Sequence, residues 1–234
     1  MTFNGKRDGM HARNSNLNGD AGFSLLELVI AMAVTLVVTS MAGALLAGSF
    51  NIRARENQKA EAIADVQRAL NIMTREISNS GFGLLNNGIV AADSGQNMIR
   101  FRANLNAYRG ETTSDSIADR DEDVAYRLIS DGTNNYIARL DVNTSNQTTV
   151  LSNRIDAYRI RYYASKVDYT TGNCDIVPAA GAVEVAPSAA KYLVITICVT
   201  LPERGRPNSP GYQPATNLQL VSDISLRNAN TAQY

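Results

Sequence analysis

The feature that most constrains this chain is an apolar block near its N-terminus. The block runs from Phe23 to Phe50, and Glu27 is its only charged residue. As a helix it would be about 42 Å long, whereas the hydrocarbon core of a bilayer is about 30 Å thick. It is also longer than the apolar region of a secretory signal peptide, which has about 7–15 residues. The sequence therefore predicts one membrane-spanning helix.

The charges on either side of the block indicate its orientation. Residues 1–22 carry three basic and two acidic side chains, and positive charge favours the cytoplasmic side of a membrane. The preference is mild because Arg53, Arg55 and Lys59 follow the block. With this orientation, Cys174 and Cys198 lie outside the cytoplasm, where disulfides form. We expect these two cysteines to pair, and two free thiols are the alternative.

Glu27 is out of place in an apolar helix. A carboxylate at the centre of a membrane helix costs about 2.5–3.5 kcal/mol, and less near an end. Glu27 lies one turn from the start of the block. One interpretation is an acid whose charge reaches the membrane surface. The other is a functional acid with a partner.

The residues around Glu27 favour the second interpretation. Residues 22–28, GFSLLEL, resemble the type III signal of type IV prepilins and of type II secretion pseudopilins. In that family a membrane peptidase cuts after the glycine and methylates the new N-terminal phenylalanine. The resemblance implies cleavage between Gly22 and Phe23, N-methylation of Phe23, and residues 1–22 as a cytoplasmic leader peptide. Met10 is an alternative start for that leader.

The resemblance also implies a role for Glu27 in assembly. Cleavage after Gly22 leaves an α-amino group beside apolar surface, and in a fibre the Glu27 carboxylate of a neighbouring subunit can pair with it. Removing one partner of such a buried pair costs about 3–5 kcal/mol. We therefore expect this salt bridge to set the register between neighbouring helices.

The helical period continues after Phe50 as an amphipathic pattern. Apolar residues recur at spacings of three and four along one face of a helix: Ile63, Val66, Leu70, Met73 and Ile77. Residues 78–81, SNSG, are a helix-ending signal. We predict a long helix over 23–80, in which 23–50 lies in the membrane or the fibre core and 51–80 is amphipathic. A sheet would cover the apolar stripe, and a coiled-coil partner is the alternative.

Residues 81–234 predict a β-rich extracytoplasmic head. Patterns of period two predict strands over 97–102, 124–130, 135–141, 155–164, 191–201 and 218–228, with 131–134 as a hairpin turn. Residues 202–214 contain four prolines and predict an irregular loop. The predicted fold class is α+β, a pilin-like fold in which the long N-terminal helix packs on an antiparallel sheet.

Further segments resemble a subgroup of the same family. Residues 66–70, 74–77 and 80–83 resemble PilW-like minor pilins and J-type minor pseudopilins, and 223–228 resemble the PilW-like group. The resemblance implies a minor pilin that helps to initiate a type IV pilus. A minor pseudopilin of a type II secretion system and a signal-anchored periplasmic binding module are the alternatives.

The same resemblance implies partners and a location. The N-terminal helix would contact other pilins or pseudopilins and membrane lipid, and the chain would meet prepilin peptidase and the inner-membrane assembly platform. It would first span the inner membrane once, with its N-terminus in the cytoplasm and its head in the periplasm, and then enter a pilus or pseudopilus.

Catalytic patterns are scarce in this sequence. The only histidine, His11, lies in the predicted leader, so the mature chain would have no histidine-based triad or histidine metal ligand. No glycine-rich phosphate loop follows a predicted strand. We therefore expect no enzymatic activity and no cofactor.

Two charged clusters remain as candidate binding sites. The acidic cluster contains Asp115, Asp119, Asp121, Glu122 and Asp123. It could bind calcium through Asp119, Asp121 and Asp123, although a solvated loop is the default interpretation. Arg204 and Arg206 could touch an anionic polymer, and plain surface is the alternative. The net charge of zero does not favour nucleic acid as a partner.

Overall fold

The computed structural model describes residues 23–106, 117–130, 132, 135–151 and 155–229. The predicted leader with Gly22, the cluster residue Asp115 and most of the predicted turn at 131–134 lie outside the described residues. The chain divides into two compact units, residues 1–46 and residues 47–234. They are described separately below.

One helix, α1, covers Leu25–Ser78, within two residues of its predicted bounds. The amide of Leu28 donates to the carbonyl of Ser24 at 3.1 Å and closes the first turn. After Ser78 the backbone turns sharply, and Gly81 adopts a φ of 79°, which glycine tolerates because it has no Cβ. The predicted ending signal at 78–81 therefore lies where the helix ends.

The described residues after the helix form nine strands, all in antiparallel pairs. A four-stranded sheet has the order β1 (Met98–Arg102), β2 (Asp123–Ser130), β3 (Asn135–Asp141) and β4 (Asn146–Leu151). A three-stranded sheet has the order β5 (Ile155–Tyr163), β8 (Tyr192–Leu201) and β9 (Thr216–Ser225). A hairpin consists of β6 (Tyr169–Gly172) and β7 (Asp175–Pro178), and short 3₁₀ turns cover Ala91–Asp93 and Pro187–Ala189.

The core lies between the second half of α1 and the two larger sheets. The apolar stripe of the helix is buried there, apart from Ile63, which is only half-buried. Its members are packed in one cluster with Ile99 and Tyr126 from the four-stranded sheet and with Ile195 and Ile197 from the three-stranded sheet. The fold-class prediction, α+β with a long helix on antiparallel sheet, is confirmed. The stripe contacts sheets and not a coiled-coil partner.

The sheet content differs from the prediction in two respects. The strands divide into three sheets, and β4, β6 and β7 were not predicted. Strand β8 has Leu193, Ile195, Ile197 and Val199 on one face, and nearly all of its residues on both faces are buried. The reason is a second apolar cluster, in which Val167 and Ile176 cover Tyr192 and Val194 of β8.

Cys174 and Cys198 lie in this second layer. Cys174 is in the turn between β6 and β7, and Cys198 is fully buried in β8. Their Cα atoms are 5.3 Å apart and their sulfurs are bonded. A crosslink at this place ties the hairpin to the face of β8 that it covers.

Candidate functional site: the N-terminal helix

The first half of α1 has an exposed apolar surface. Every side chain over residues 23–46 is exposed within this unit, and Leu36 has 65% of its surface accessible. The helix is long and apolar enough to cross a membrane by length and composition. Burying one large apolar side chain stabilises by about 1.5–3 kcal/mol. A run of them is therefore suited to lipid or to the apolar surfaces of other subunits.

Three hydroxyl groups in the middle of this segment are satisfied inside the helix. The hydroxyls of Thr35, Thr39 and Ser40 each donate to the carbonyl four residues earlier, at 2.7 Å. In hydrocarbon an unsatisfied polar group costs several kcal/mol. These internal hydrogen bonds make the segment compatible with an environment without water.

Phe23 and Glu27 lie at the start of this helix. Phe23 is the first described residue and is exposed, and Glu27 lies in the first helical turn. A negative charge is favoured at this end of a helix. Within the described part of the chain, no hydrogen bond or ion pair occupies the Glu27 carboxylate. The predicted salt bridge to another subunit stays a prediction.

The second half of α1 is fixed to the head by a buried arginine. Arg55 is only 5% exposed. Its guanidinium donates to the carbonyl of Pro202, to the carbonyl of Pro214 at 2.8 Å and to Thr216 Oγ1 at 3.0 Å. Arg55 therefore holds both ends of the proline-rich loop, residues 202–214, against the helix.

The tip of the same loop also touches the helix. A Cβ at Gly48 would lie 3.1 Å from the carbonyl oxygen of Pro210, and a Cβ at Gly211 would lie 2.4 Å from the Cα of Gly48. Gly211 has no room for a Cβ at this contact, and a Cβ at Gly48 would force the loop to shift by a few tenths of an ångström. The proline-rich loop is irregular, as predicted, but it is packed on the helix from Gly48 to Arg55.

Farther along, Glu76 joins α1 to the four-stranded sheet. Its Oε2 accepts hydrogen bonds from the Tyr126 hydroxyl at 2.7 Å and from Arg139 Nε at 2.8 Å. Arg139 also donates to Asp121 at 2.7 Å. Burial and the neighbouring Glu76 charge raise the pKa of the Tyr126 hydroxyl, so the tyrosine remains a hydrogen-bond donor to the helix.

A comparison with protein families bears on the start of the helix. The family model described as the prokaryotic N-terminal methylation motif matches residues 17–43. The chain is a type IV pilin-like protein. The match contains Gly22, Phe23 and Glu27 and more than half of the apolar block. Neither the curated proteins nor the solved structures gave a match.

The acidic cluster of this pilin-like protein is occupied by internal contacts. Asp123 is bonded to Arg100 and Arg102, and Asp121 to Arg139. Asp119 Oδ2 accepts from Asn106 Nδ2 at 2.7 Å. No group of three or more acidic, cysteine or histidine side chains among the described residues is arranged to hold a metal ion. The predicted calcium ligands are thus directed to different partners.

Asp123 is an enclosed carboxylate of the cluster, with 4% of its side chain exposed. Its oxygens accept from Arg100 Nε at 2.7 Å, Arg100 Nη2 at 2.8 Å and Arg102 Nε at 2.9 Å. Burial raises the pKa of the carboxyl, but the hydrogen bonds and charges of the two arginines outweigh burial and hold the pKa below its usual value. Asp123 is thus an ionised structural partner that joins β1 and β2.

Sequence reasoning missed the contacts that fix the pilin-like helix to its head. Arg55 was counted among the positive charges after the apolar block, and Glu76 lies outside the apolar stripe. Both have partners more than 45 residues away in sequence. Helical periodicity reports which residues share a face and carries no signal for such partners.

Replacing Arg55 by methionine tests the role of the buried arginine. R55M keeps a long side chain but leaves the carbonyls of Pro202 and Pro214 without their donor. We expect the free energy of unfolding to fall by about 2–3 kcal/mol. We also expect trypsin to cut after Arg204 on the order of tenfold faster, because the loop is no longer held on the helix. Urea denaturation and limited proteolysis of the detergent-purified chain measure the two effects.

R53M is the matched control, because Arg53 is exposed and takes part in no ion pair among the described residues. It should leave both measurements unchanged. Equal rates of cleavage after Arg204 in R55M and R53M would contradict the role given to Arg55.

Asp123→Asn tests the carboxylate at the centre of the acidic cluster. A group whose folded pKa is lowered stabilises above its unfolded pKa, near 3.9, and loses that effect as pH falls through the folded pKa. D123N should therefore lower the free energy of unfolding by about 2–3 kcal/mol at pH 7, and the difference from the wild type should shrink below about pH 4. Urea denaturation at a series of pH values measures this. D168N, at an exposed position, is the control, and a pH-independent loss in D123N would contradict the ion-pair role.

Proposed function

We propose that this chain is a minor pilin-like subunit of a type IV pilus, which prepilin peptidase processes and which enters the fibre through α1. The match to the N-terminal methylation motif over residues 17–43 carries the proposal. The exposed apolar surface of residues 23–46 supports it, because such a surface needs lipid before assembly and apolar neighbours afterwards. On this account the chain is structural and has no catalytic role.

Processing prepares the N-terminus for assembly. Cleavage between Gly22 and Phe23 removes residues 1–22 and frees an α-amino group, and methylation of Phe23 retains its positive charge. In the fibre this ammonium meets the Glu27 carboxylate of a neighbouring subunit. The exposure of Phe23 and the lack of an internal partner for Glu27 among the described residues support this pairing.

Each part of the processed chain has its own role. Residues 23–50 anchor the subunit in the inner membrane and later lie in the fibre core. Residues 51–80 carry the head, residues 81–234, which faces the periplasm before assembly. In that oxidising compartment the bond between Cys174 and Cys198 can form and persist.

A minor pseudopilin of a type II secretion system is the alternative within the same family, because the methylation motif is shared by both kinds of fibre. The PilW-like segments at 80–83 and 223–228 favour the pilus. In the alternative the same helix and the same processing would build a shorter periplasmic fibre.

The first experiment is an intact-mass measurement of the protein purified from its native host. We expect a chain that begins at Phe23 and carries one additional methyl group. Retention of residues 1–22 in the assembled form would refute the proposal.

The second experiment replaces Glu27 by alanine. E27A should still be cleaved and inserted but should be absent from sheared surface fibres, because each neighbour's ammonium would be left without a partner at a cost of about 3–5 kcal/mol. Immunoblotting of fibre and membrane fractions measures incorporation. E61A, at an exposed position of the same helix, is the control. Normal incorporation of E27A would favour a signal-anchored binding module.

A further inference from the structure

The proline-rich loop, residues 202–214, lies beside the last turn of the apolar block. Its tip contacts α1 at Gly48, and Gly205 approaches the side-chain amide of Asn51, to which a Cβ at Gly205 would be 3.4 Å away. Arg55 holds the two ends of the loop. The loop is therefore fixed at the level where the sequence changes from apolar to polar, just after Phe50.

This level of the molecule is strongly basic, although the whole chain has a net charge of zero. Residues 51–60 and 202–215 together contain five basic and two acidic side chains. The basic residues are Arg53, Arg55, Lys59, Arg204 and Arg206, and the acidic residues are Glu56 and Glu203. The loop thus adds its two arginines to the positive charges that directly follow the apolar block.

Among the described residues, these charges have no ion-pair partner. No ion pair between described residues involves Arg53, Arg204 or Arg206, and the hydrogen-bond acceptors of Arg55 are neutral oxygens. Glu203 accepts a hydrogen bond from Tyr212 at 3.0 Å. The arginines of the loop are available for an anionic partner.

The neighbouring apolar side chains indicate where that partner lies. Phe50 is 64% exposed and Ile52 is 46% exposed, and both belong to the turn of α1 that the loop accompanies. Basic side chains that directly follow an exposed apolar helix are typical of the boundary between hydrocarbon and headgroups, because their long stems reach the headgroup region. The apolar block that precedes them supplies the hydrocarbon side of this boundary.

We propose that the basic collar, formed by Arg53, Lys59, Arg204 and Arg206, binds the phosphate groups of anionic phospholipids at the outer surface of the membrane. The guanidinium group matches phosphate with paired hydrogen bonds. The collar holds the subunit at a fixed height in the bilayer before assembly, and the buried Arg55 sets the position of the loop arginines. This inference rests on the proposed function, because it requires residues 23–50 to lie in the bilayer.

Photocrosslinking in nanodiscs tests the collar. The full chain is reconstituted in two preparations of phosphatidylcholine nanodiscs. One contains a small fraction of phosphatidylglycerol, the anionic probe, with a photoreactive headgroup. The other contains the same fraction of phosphatidylcholine, the zwitterionic probe, with the same photoreactive group on its headgroup. Mass spectrometry measures the labelling of residues 202–214 by each probe. A third preparation carries the photoreactive group on an acyl chain and reports whether residues 23–50 are in the bilayer.

We expect the anionic probe to label residues 202–214 preferentially. Each basic residue near an anionic surface contributes about a fivefold preference, so R204Q/R206Q should lower the ratio of anionic to zwitterionic labelling by about tenfold or more. The ratio should also fall in 1 M salt, where the Debye length is only about 3 Å.

R68Q/R75Q is the matched control, because it removes the same number of positive charges, from two exposed positions of α1. These positions lie about 27 and 38 Å beyond Phe50 along α1, and the ratio should not change. Equal labelling by the two headgroup probes, with acyl labelling of residues 23–50 intact, would overturn the collar alone. Failure of the acyl probe to label residues 23–50 would overturn both the collar and the membrane anchoring in the proposed function.

Discussion

The exposed apolar surface of residues 23–46 is the constraint on which the rest of the account depends. The side chains from Phe23 to Leu46 are exposed, and the hydroxyls of Thr35, Thr39 and Ser40 are satisfied within the helix. Exposing such a surface to water is unfavourable, because burying apolar surface stabilises by about 25 cal/mol for each Å². It is stable in lipid and in a bundle of like helices, and the proposed assembly would move it from the first environment to the second.

The second half of the same helix is instead packed against the head and must stay in a fixed position on it. Apolar packing against two sheets supplies most of this attachment through residues such as Val66, Met73 and Ile77. Two polar contacts fix the position of the helix on the head. Arg55 donates hydrogen bonds to carbonyls of the proline-rich loop, and Glu76 accepts hydrogen bonds from Tyr126 and Arg139. Because these polar groups are largely enclosed, a shift of the helix would leave them without partners, at about 1–3 kcal/mol each.

The helix and the longer strands could be predicted because each has a period that the sequence displays. The stripe of α1 and the alternation in β5, β8 and β9 are local signals, and the predicted bounds of these elements agree with the structure to within three residues. Strands β6 and β7 are four residues each, too short to show alternation, and β4 is largely polar. The candidate site likewise has a part that the sequence predicts and a part that it does not. Phe23 and Glu27 follow from a local motif, whereas the burial of Arg55 depends on a loop almost 150 residues later.

The central claim is that the exposed apolar face of α1 contacts other subunits in a fibre. Its most direct test is a photocrosslinking amino acid at Leu36, which is 65% exposed and lies in the middle of the apolar block. The variant is expressed in the native host, irradiated, and separated into sheared fibres and membranes. The account predicts crosslinks between Leu36 and the N-terminal helices of other pilin-like subunits in the fibre fraction. Mature protein that stays in the membrane and crosslinks at Leu36 to lipid alone would contradict it.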